Sequence, residues 1–518
     1  MKKKLFAAVL LIPLLASCSG KLDHVPENYT PKLPEFKNKD SGAIKDDGDN
    51  VYFDFYEVSD FHGATVYDKD SKELGLERLS TYFDTKRENN PGGTVLISGG
   101  DMWQGSADSN ITRGNLVTYG MRVMGFAAMT FGNHEFDWEA NGETSWIQNN
   151  LNRANDGGVN SFPFLGANIY IKDSDQHPSY AVPSTIVERG GYKVGIIGTI
   201  GDDIRNSILA VAIENLEFKN EIETVQSESA KLKEAGCDLV VWSSHNDVDR
   251  LKNRIGHMSS SELGADVIFG GHSHTTFNTT SSAGIPMLAT KNLGRSIVHC
   301  EVKMNKTSKA IVSAIGTADE NPTAKDYEPD ADITGIYKQY SRKFIDRIKN
   351  KKLGKANGKF TAENELGNYA VESMFNAIKD KYADYPIVAA FTNKSGGIRA
   401  DLESGKITYG DVYKAFPFDN EIVVMKCSGS EIKSYCSSNL NVARYNIIYN
   451  QTIDPSGTYY YLTTDYLATN EGFPFKEGEV MVYTKVNVRD SIADAIKKAK
   501  KINAADYKIG AKKEFQKI

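Results

Sequence analysis

A chain of 518 residues exceeds what one compact core covers, so two or three domains are expected. Its composition, 40% hydrophobic and 25% charged, is that of an ordinary globular protein. A formal net charge of -6 offers no electrostatic footprint for nucleic-acid backbones, so polymeric DNA or RNA is not an expected partner.

At the N-terminus, Lys2 to Lys4 and the apolar run Leu5 to Ala16 have the layout of a secretory signal peptide, and the run is too short to span a bilayer. It ends in Leu15-Ala16-Ser17-Cys18, which resembles the lipobox of bacterial lipoproteins. The resemblance implies cleavage before Cys18, acylation of that residue and a lipid-anchored, extracytoplasmic protein of the bacterial envelope. Residues 19–50 are rich in Lys, Asp and Pro with little apolar periodicity, which predicts a flexible tether. A coil of that length holds the folded part on the order of 30 Å from the membrane.

From Tyr52 onward strand-like and helical patterns alternate, with β-rich runs at Tyr52 to Ser59, Thr94 to Ser98, Lys193 to Thr199, Asp238 to Ser243 and Val267 to Phe269. Alternation of this kind argues for an α/β domain of packed sheets over residues 51–325, with polar loops beyond the strand ends. Ile333, Ile336, Tyr337, Tyr340, Phe344 and Ile348 recur at helical spacing, so residues 326–354 read as a linker helix. A second, α+β unit follows over residues 355–518. It has helices near Asn368 to Lys379 and Asp490 to Lys501, and strands near Ile387 to Thr392, Ile422 to Lys426 and Tyr459 to Thr464. Cys237, Cys300, Cys427 and Cys436 fit neither a zinc cluster nor a dense disulfide framework; they are expected as buried thiols, with a Cys427 to Cys436 bridge left open.

Five polar clusters stand directly after strand-like runs: Ser59-Asp60-Phe61-His62-Gly63, Gly99-Gly100-Asp101, Gly132-Asn133-His134-Glu135-Phe136-Asp137, Ser244-His245-Asn246 and Gly270-Gly271-His272-Ser273-His274. Glycine lets the backbone approach closely, so short side chains from separate loops can converge on one point. Imidazole and carboxylate together suit zinc, iron, manganese or cobalt rather than calcium or magnesium. Seven candidate ligands, Asp60, His62, Asp101, Asn133, His245, His272 and His274, are too many for one tetrahedral ion. They suit two ions about 3.5–4 Å apart that share a carboxylate.

In this order the motifs DFH, GGD, GNHEFD, a lone His after a strand and GGHSH resemble the calcineurin-like metallophosphoesterases of the 5′-nucleotidase family. The resemblance implies a four-layer sandwich for the first domain and two divalent cations. Asp60, His62, Asp101 and His274 would hold the first, and Asp101, Asn133, His245 and His272 the second, with Asp101 bridging. His134 and Asp137 match the family's catalytic dyad, whereas His24 and His299 lie outside any such motif and read as structural.

Phe391-Thr392-Asn393-Lys394-Ser395-Gly396-Gly397-Ile398-Arg399, followed by Phe416-Pro417-Phe418-Asp419-Asn420, resembles the family's C-terminal substrate-binding domain. The likeness assigns Arg399, Phe418 and Tyr466 to the nucleotide, the two rings sandwiching its base, with Asn393 and Gly397 beside them. Lys394 stands where the family carries Asn, a departure Asn393 can offset by a one-residue shift, and Asn470-Glu471-Gly472-Phe473 matches the family's glycine-rich loop poorly. The activity implied is hydrolysis of nucleoside 5′-monophosphates, extending to nucleotide di- and triphosphates or UDP-sugars. A 2′,3′-cyclic-nucleotide phosphodiesterase with 3′-nucleotidase activity stays open, as does a catalytically silent surface protein that binds nucleotides or a host molecule. By the same resemblance, the linker helix would support rotation of the second domain.

Overall fold

The computed structural model of the chain describes residues 24–511 apart from 71, 140–144, 395, 438–441, 447–452 and 471. The leader with Cys18, and the motif positions Ser395 and Glu471, lie outside the described residues. Among the described residues no helix is long and apolar enough to cross a membrane.

The first domain stacks two six-stranded sheets. One runs in the order Ile311–Glu320, Ser296–Asn305, Asn50–Val58, Thr94–Ser98, Phe126–Thr130, Phe164–Leu165. The other runs Phe277–Thr280, Pro286–Ala289, Val267–Gly270, Leu239–His245, Tyr192–Ile200, Ser184–Arg189. Thr94–Ser98 and Leu239–His245 are buried along their whole length, as near-continuous apolar runs must be when both faces of a sheet are covered. Phe53, Phe55, Val95 and Ile97 from one sheet meet Ile196, Val241, Phe269 and Leu288 from the other in the inner core. Helices Gly75–Arg87 and Asn115–Met124 cover the outside of the first sheet, and Glu221–Glu234 and Val248–Ile255 that of the second. This is the four-layer sandwich that the motifs imply. The central strands of each sheet are parallel, so their C-terminal ends open onto one edge of the molecule.

The linker is helical from Ala331 to Lys349 but not uniformly so, because Ser341–Ile345 is a π-type turn. The wider turn shifts the buried face by one residue, so that Ile345 and Ile348 enter the first domain's core while Phe344 is only half-buried. In the second domain a five-stranded sheet (Val442–Asn446, Ile387–Asn393, Thr458–Thr464, Glu421–Ser428, Glu479–Asn487) packs one face on helices Glu365–Ile378 and Val488–Ala499. No disulfide joins Cys237, Cys300, Cys427 and Cys436, so the Cys427 to Cys436 bridge is not formed; the last three are buried as expected, and Cys237 is only half-buried.

The expected tether is corrected from His24 onward, because residues 24–50 lie as a strap along the first domain. Val25 is fully buried and donates its N–H to Ile111 O, and the Tyr29 ring meets those of Tyr340 and Phe344 edge-on. Gln339 brackets Lys32, Lys39 pairs with Asp84 at 2.6 Å, and Arg189 pairs with Asp40 at 2.7 Å. Single apolar residues dipping in at intervals leave no helical or strand period, so periodicity misses a strap of this kind.

Candidate active site

All five polar clusters reach the shared edge where the parallel strands end. Asp60 and His62 follow Asn50–Val58, Asp101 follows Thr94–Ser98, and Asn133 follows Phe126–Thr130. His245 closes Leu239–His245, while His272 and His274 follow Val267–Gly270. Asp60, His62, Asp101, His272 and His274 all sit at positive φ, between 48° and 67°. L-residues adopt that region at a cost, and such strain gathers where side chains must be aimed. Glycine is required between the loops: a Cβ on Gly132 would lie 2.2 Å from Asp101 Oδ1, and one on Gly100 would lie 2.5 Å from Gly132 N.

The donor atoms of Asp60, His62 and His274 lie within 4.8 Å of one another, as do those of Asp101, His245 and His272, and those of His62, Asp101 and His134. His62 Nδ1 is 2.9 Å from Gln104 O and His245 Nδ1 is 2.7 Å from Gly99 O. A carbonyl can only accept, so each Nδ1 carries the hydrogen and each Nε2 turns its other side inward. There His62 Nε2 is 3.0 Å from His274 Nε2, and His245 Nε2 is 3.3 Å from both Asp101 Oδ2 and Asn133 Oδ1. His272 Nδ1 approaches Asn133 Oδ1 at 3.0 Å, and His274 Nε2 approaches Asp60 Oδ1 at 3.4 Å. So many acceptors facing one another suit cations of borderline softness, and the donor set fits them.

Electrostatics agree. Burial pushes His62 down to about 3 and His272 down to about 4, which leaves both neutral with lone pairs to offer. At His245 burial opposes a charge, yet Asp101 and Asp60 prevail and raise it to about 10, so the position attracts positive charge. Burial likewise opposes ionisation of Asp60 and Asp101, but the imidazoles around them hold both below the ordinary carboxylate range.

His134 Nδ1 is 2.9 Å from Asp137 Oδ2, and His134 donates its backbone N–H to Asp101 Oδ1 at 2.8 Å. Burial works against the imidazolium, but Asp137 and Asp101 outweigh it and raise His134 above its ordinary value. The dyad opens onto a cavity of about 530 Å³ between the domains, walled on one side by Asp101 and His134 and on the other by Asn393, Arg399, Phe418 and Tyr466. The Arg399 guanidinium lies 5.3 Å from the Phe418 ring centre, and among the described residues it forms no ion pair. Lys394 turns away to Glu363 O, which leaves Asn393 facing the cavity. Gly397 does not line this cavity: it packs on the Asn393 side chain, where a Cβ would come within 2.3 Å. His299 pairs with Asp54 on a sheet surface and His24 meets Trp146 edge-on, both away from the site.

Two supporting groups, Glu135 and Glu221, escape a reading of the sequence. Glu135 accepts the N–H groups of Asp101, Met102 and Gly132, each at 2.8 Å, and so ties two ligand loops together. Burial, then the Asp101 charge, pushes its carboxyl up to about 7. Glu221 accepts from Ser244 and Asn246, the residues on either side of His245. Glu135 stands inside a recognised motif, but nothing in a sequence distinguishes a buried brace from a surface acid.

Two family models match the chain: Calcineurin-like phosphoesterase over residues 53–276, and 5′-nucleotidase, C-terminal domain, over residues 347–445. Together they cover more than half of the sequence, and the chain belongs to the 5′-nucleotidase family of calcineurin-like phosphoesterases. Endonuclease YhcR of Bacillus subtilis is 26% identical over 369 residues, which cover 67% of this chain and 29% of that protein. The 5′-nucleotidase of Rattus norvegicus is 25% identical over 396 residues, 69% of this chain and 65% of that protein. The chain thus spans less than two thirds of the length of these curated relatives. In fold it is similar to the 5′-nucleotidase precursor from Thermus thermophilus, with a TM-score of 0.70 at 22% identity over 87% of this chain and 97% of the other.

Proposed function

We propose that the chain hydrolyses nucleoside 5′-monophosphates, and related nucleotides that fit the same cavity, to nucleoside and phosphate. The observation that carries this reading is one cavity with the His134–Asp137 pair and the clustered donors on one wall, and Arg399, Phe418 and Tyr466 on the other. Asp60, His62, Asp101 and His274 would hold one divalent cation, and Asp101, Asn133, His245 and His272 a second, with zinc, manganese, cobalt or iron suited to the donors. Bound there, the cations supply Lewis-acid activation of water and neutralise phosphate charge.

The chain's own groups do the rest. Arg399 and the aromatic rings hold the nucleoside end, which fixes the phosphate over the first domain. Water adds to phosphorus opposite the ester oxygen, and the P–O bond to the nucleoside breaks. His134, kept protonated by Asp137, presents Nε2–H to the phosphoryl and leaving oxygens as their charge develops. The lysine-led leader ending at Cys18 supports an envelope-anchored place for this reaction.

The test is phosphate release by a soluble form that lacks residues 1–18. It is assayed with Mn²⁺, Co²⁺, Zn²⁺ and Ca²⁺ in turn on AMP, ATP, UDP-glucose and 2′,3′-cyclic AMP. AMP turnover is expected, and Asp101→Ala should lower it on the order of a thousandfold, since it removes a carboxylate common to both donor groups. Preference for the cyclic ester would replace this reading with the cyclic phosphodiesterase. No turnover with any metal would leave a binding protein.

A further inference from the structure

The loop Phe416 to Asn420 of the second domain brings the Phe418 ring to 5.6 Å from the His134 ring of the first, centre to centre. Two arginines, one from each domain, share the carboxylate of Asp419 beside it. Arg489 is fixed from within the second domain: its guanidinium stacks 3.7 Å from the Tyr413 ring centre and donates to the carbonyls of Phe416, Pro417 and Phe418, each at 3.2 Å. Its other nitrogen reaches Asp419 Oδ1. The remaining oxygen, Oδ2, accepts from Arg113 Nη1 of the first domain at 2.7 Å. Arg113 stands at φ 49° with Trp138 and Trp146 against its guanidinium, and Asn110 adds a second crossing bond to Pro417 O at 2.9 Å.

These contacts divide the work. Arg489 holds the loop from within its own domain, whereas Arg113 and Asn110 tie it to the first domain. Charge-assisted bonds through a largely buried guanidinium are directional and strong enough to select one docked arrangement. We infer that Arg113 is a positioning residue: through Asp419 it sets the Phe418 ring beside His134, so that capture of a substrate's ring and placement of its phosphate occur in one docked arrangement. The ring-capture part rests on the nucleotidase reading above.

Arg113→Met and Arg113→Lys would be assayed on AMP and on glycerol 3-phosphate, which has no ring to stack. Arg113→Met should raise KM for AMP about tenfold, the scale of one charge-assisted hydrogen bond, with kcat/KM for glycerol 3-phosphate within about twofold of wild type. Arg113→Lys should recover part of the loss by restoring the charge without the fork. Equal losses on both esters, or no change on either, would overturn the inference. A wild-type chain that hydrolyses neither ester refutes the nucleotidase reading alone, and the clamp is then read from distances between spin labels on Ser308→Cys and Lys497→Cys in a Cys237→Ser background. Both label sites are exposed, one in each domain. Arg113→Met should broaden that distance distribution; an unchanged distribution overturns the clamp.

Discussion

In the first domain, along and behind its wall of the cavity, five of the seven candidate ligands stand at positive φ, whereas none of Asn393, Arg399, Phe418 and Tyr466 on the second domain's wall does. The first wall aims short side chains by distorting the turns that carry them, and it braces those turns from behind with Glu135 and Glu221. On the second wall Arg399, Phe418 and Tyr466 reach in as long side chains from relaxed backbone, with Lys485 at φ 59° on the same wall, and the Phe418 loop is placed by packing and by the Arg489 and Arg113 bonds around Asp419. Strain and bracing suit a centre where displacements of a fraction of an ångström matter. On the proposed nucleotidase reading the second wall grips a flat ring, a task that relaxed backbone suits because several shapes serve equally well.

If that division holds, substitutions on the two walls separate in kind. His134→Gln should lower kcat for AMP by roughly 10²–10⁴-fold with KM little changed, because it removes a proton donor needed as the leaving oxygen gains charge. A rise in KM as large as the fall in kcat would mean that His134 mainly binds the ground state, and the contrast between walls would weaken. Phe418→Ala should do the reverse: KM rises by the equivalent of about 1–3 kcal/mol of stacking, kcat changes little, and metal content by elemental analysis stays at the wild-type value. Loss of metal on removing Phe418 would show that the walls are not separable.

The same contrast explains what the sequence discloses. Strands such as Thr94–Ser98 and Val267–Gly270, and the clusters that follow them, are legible because an apolar run, a glycine and a short polar side chain are neighbours along the chain. The donors then converge because parallel strands end on one edge, a consequence of the fold class. What is not legible joins distant residues with no local signature. Glu135 grips Asp101 from the loop after the neighbouring strand, Arg113 meets Asp419 more than three hundred residues away, and Tyr29 finds Tyr340. The π-type turn at Ser341–Ile345 is missed for another reason: Phe344 and Ile345 are equally apolar, so the pattern does not reveal which one turns inward.

The weakest of the expected effects probes how firmly the second wall is docked. Burial opposes a charge on Asp419, but Arg113 and Arg489 override it and hold the carboxyl well below its ordinary range. A folded value lower than the unfolded one, about 3.9, makes the ionised pair stabilising. That stabilisation is complete above about pH 5 and is lost as pH falls from there, through the unfolded value, towards the folded one. Unfolding midpoints of wild type and Asp419→Asn, measured from pH 7 down to 3, should therefore differ by a constant amount to about pH 5 and converge progressively below it. Other acid-labile groups cancel in the difference. A difference that stays constant all the way from pH 7 to 3 would mean that the carboxyl is not held down. In Arg113→Met the carboxylate keeps only Arg489, so the constant difference should shrink. The fraction that remains measures how much of the loop's hold comes from its own domain and how much from the wall opposite.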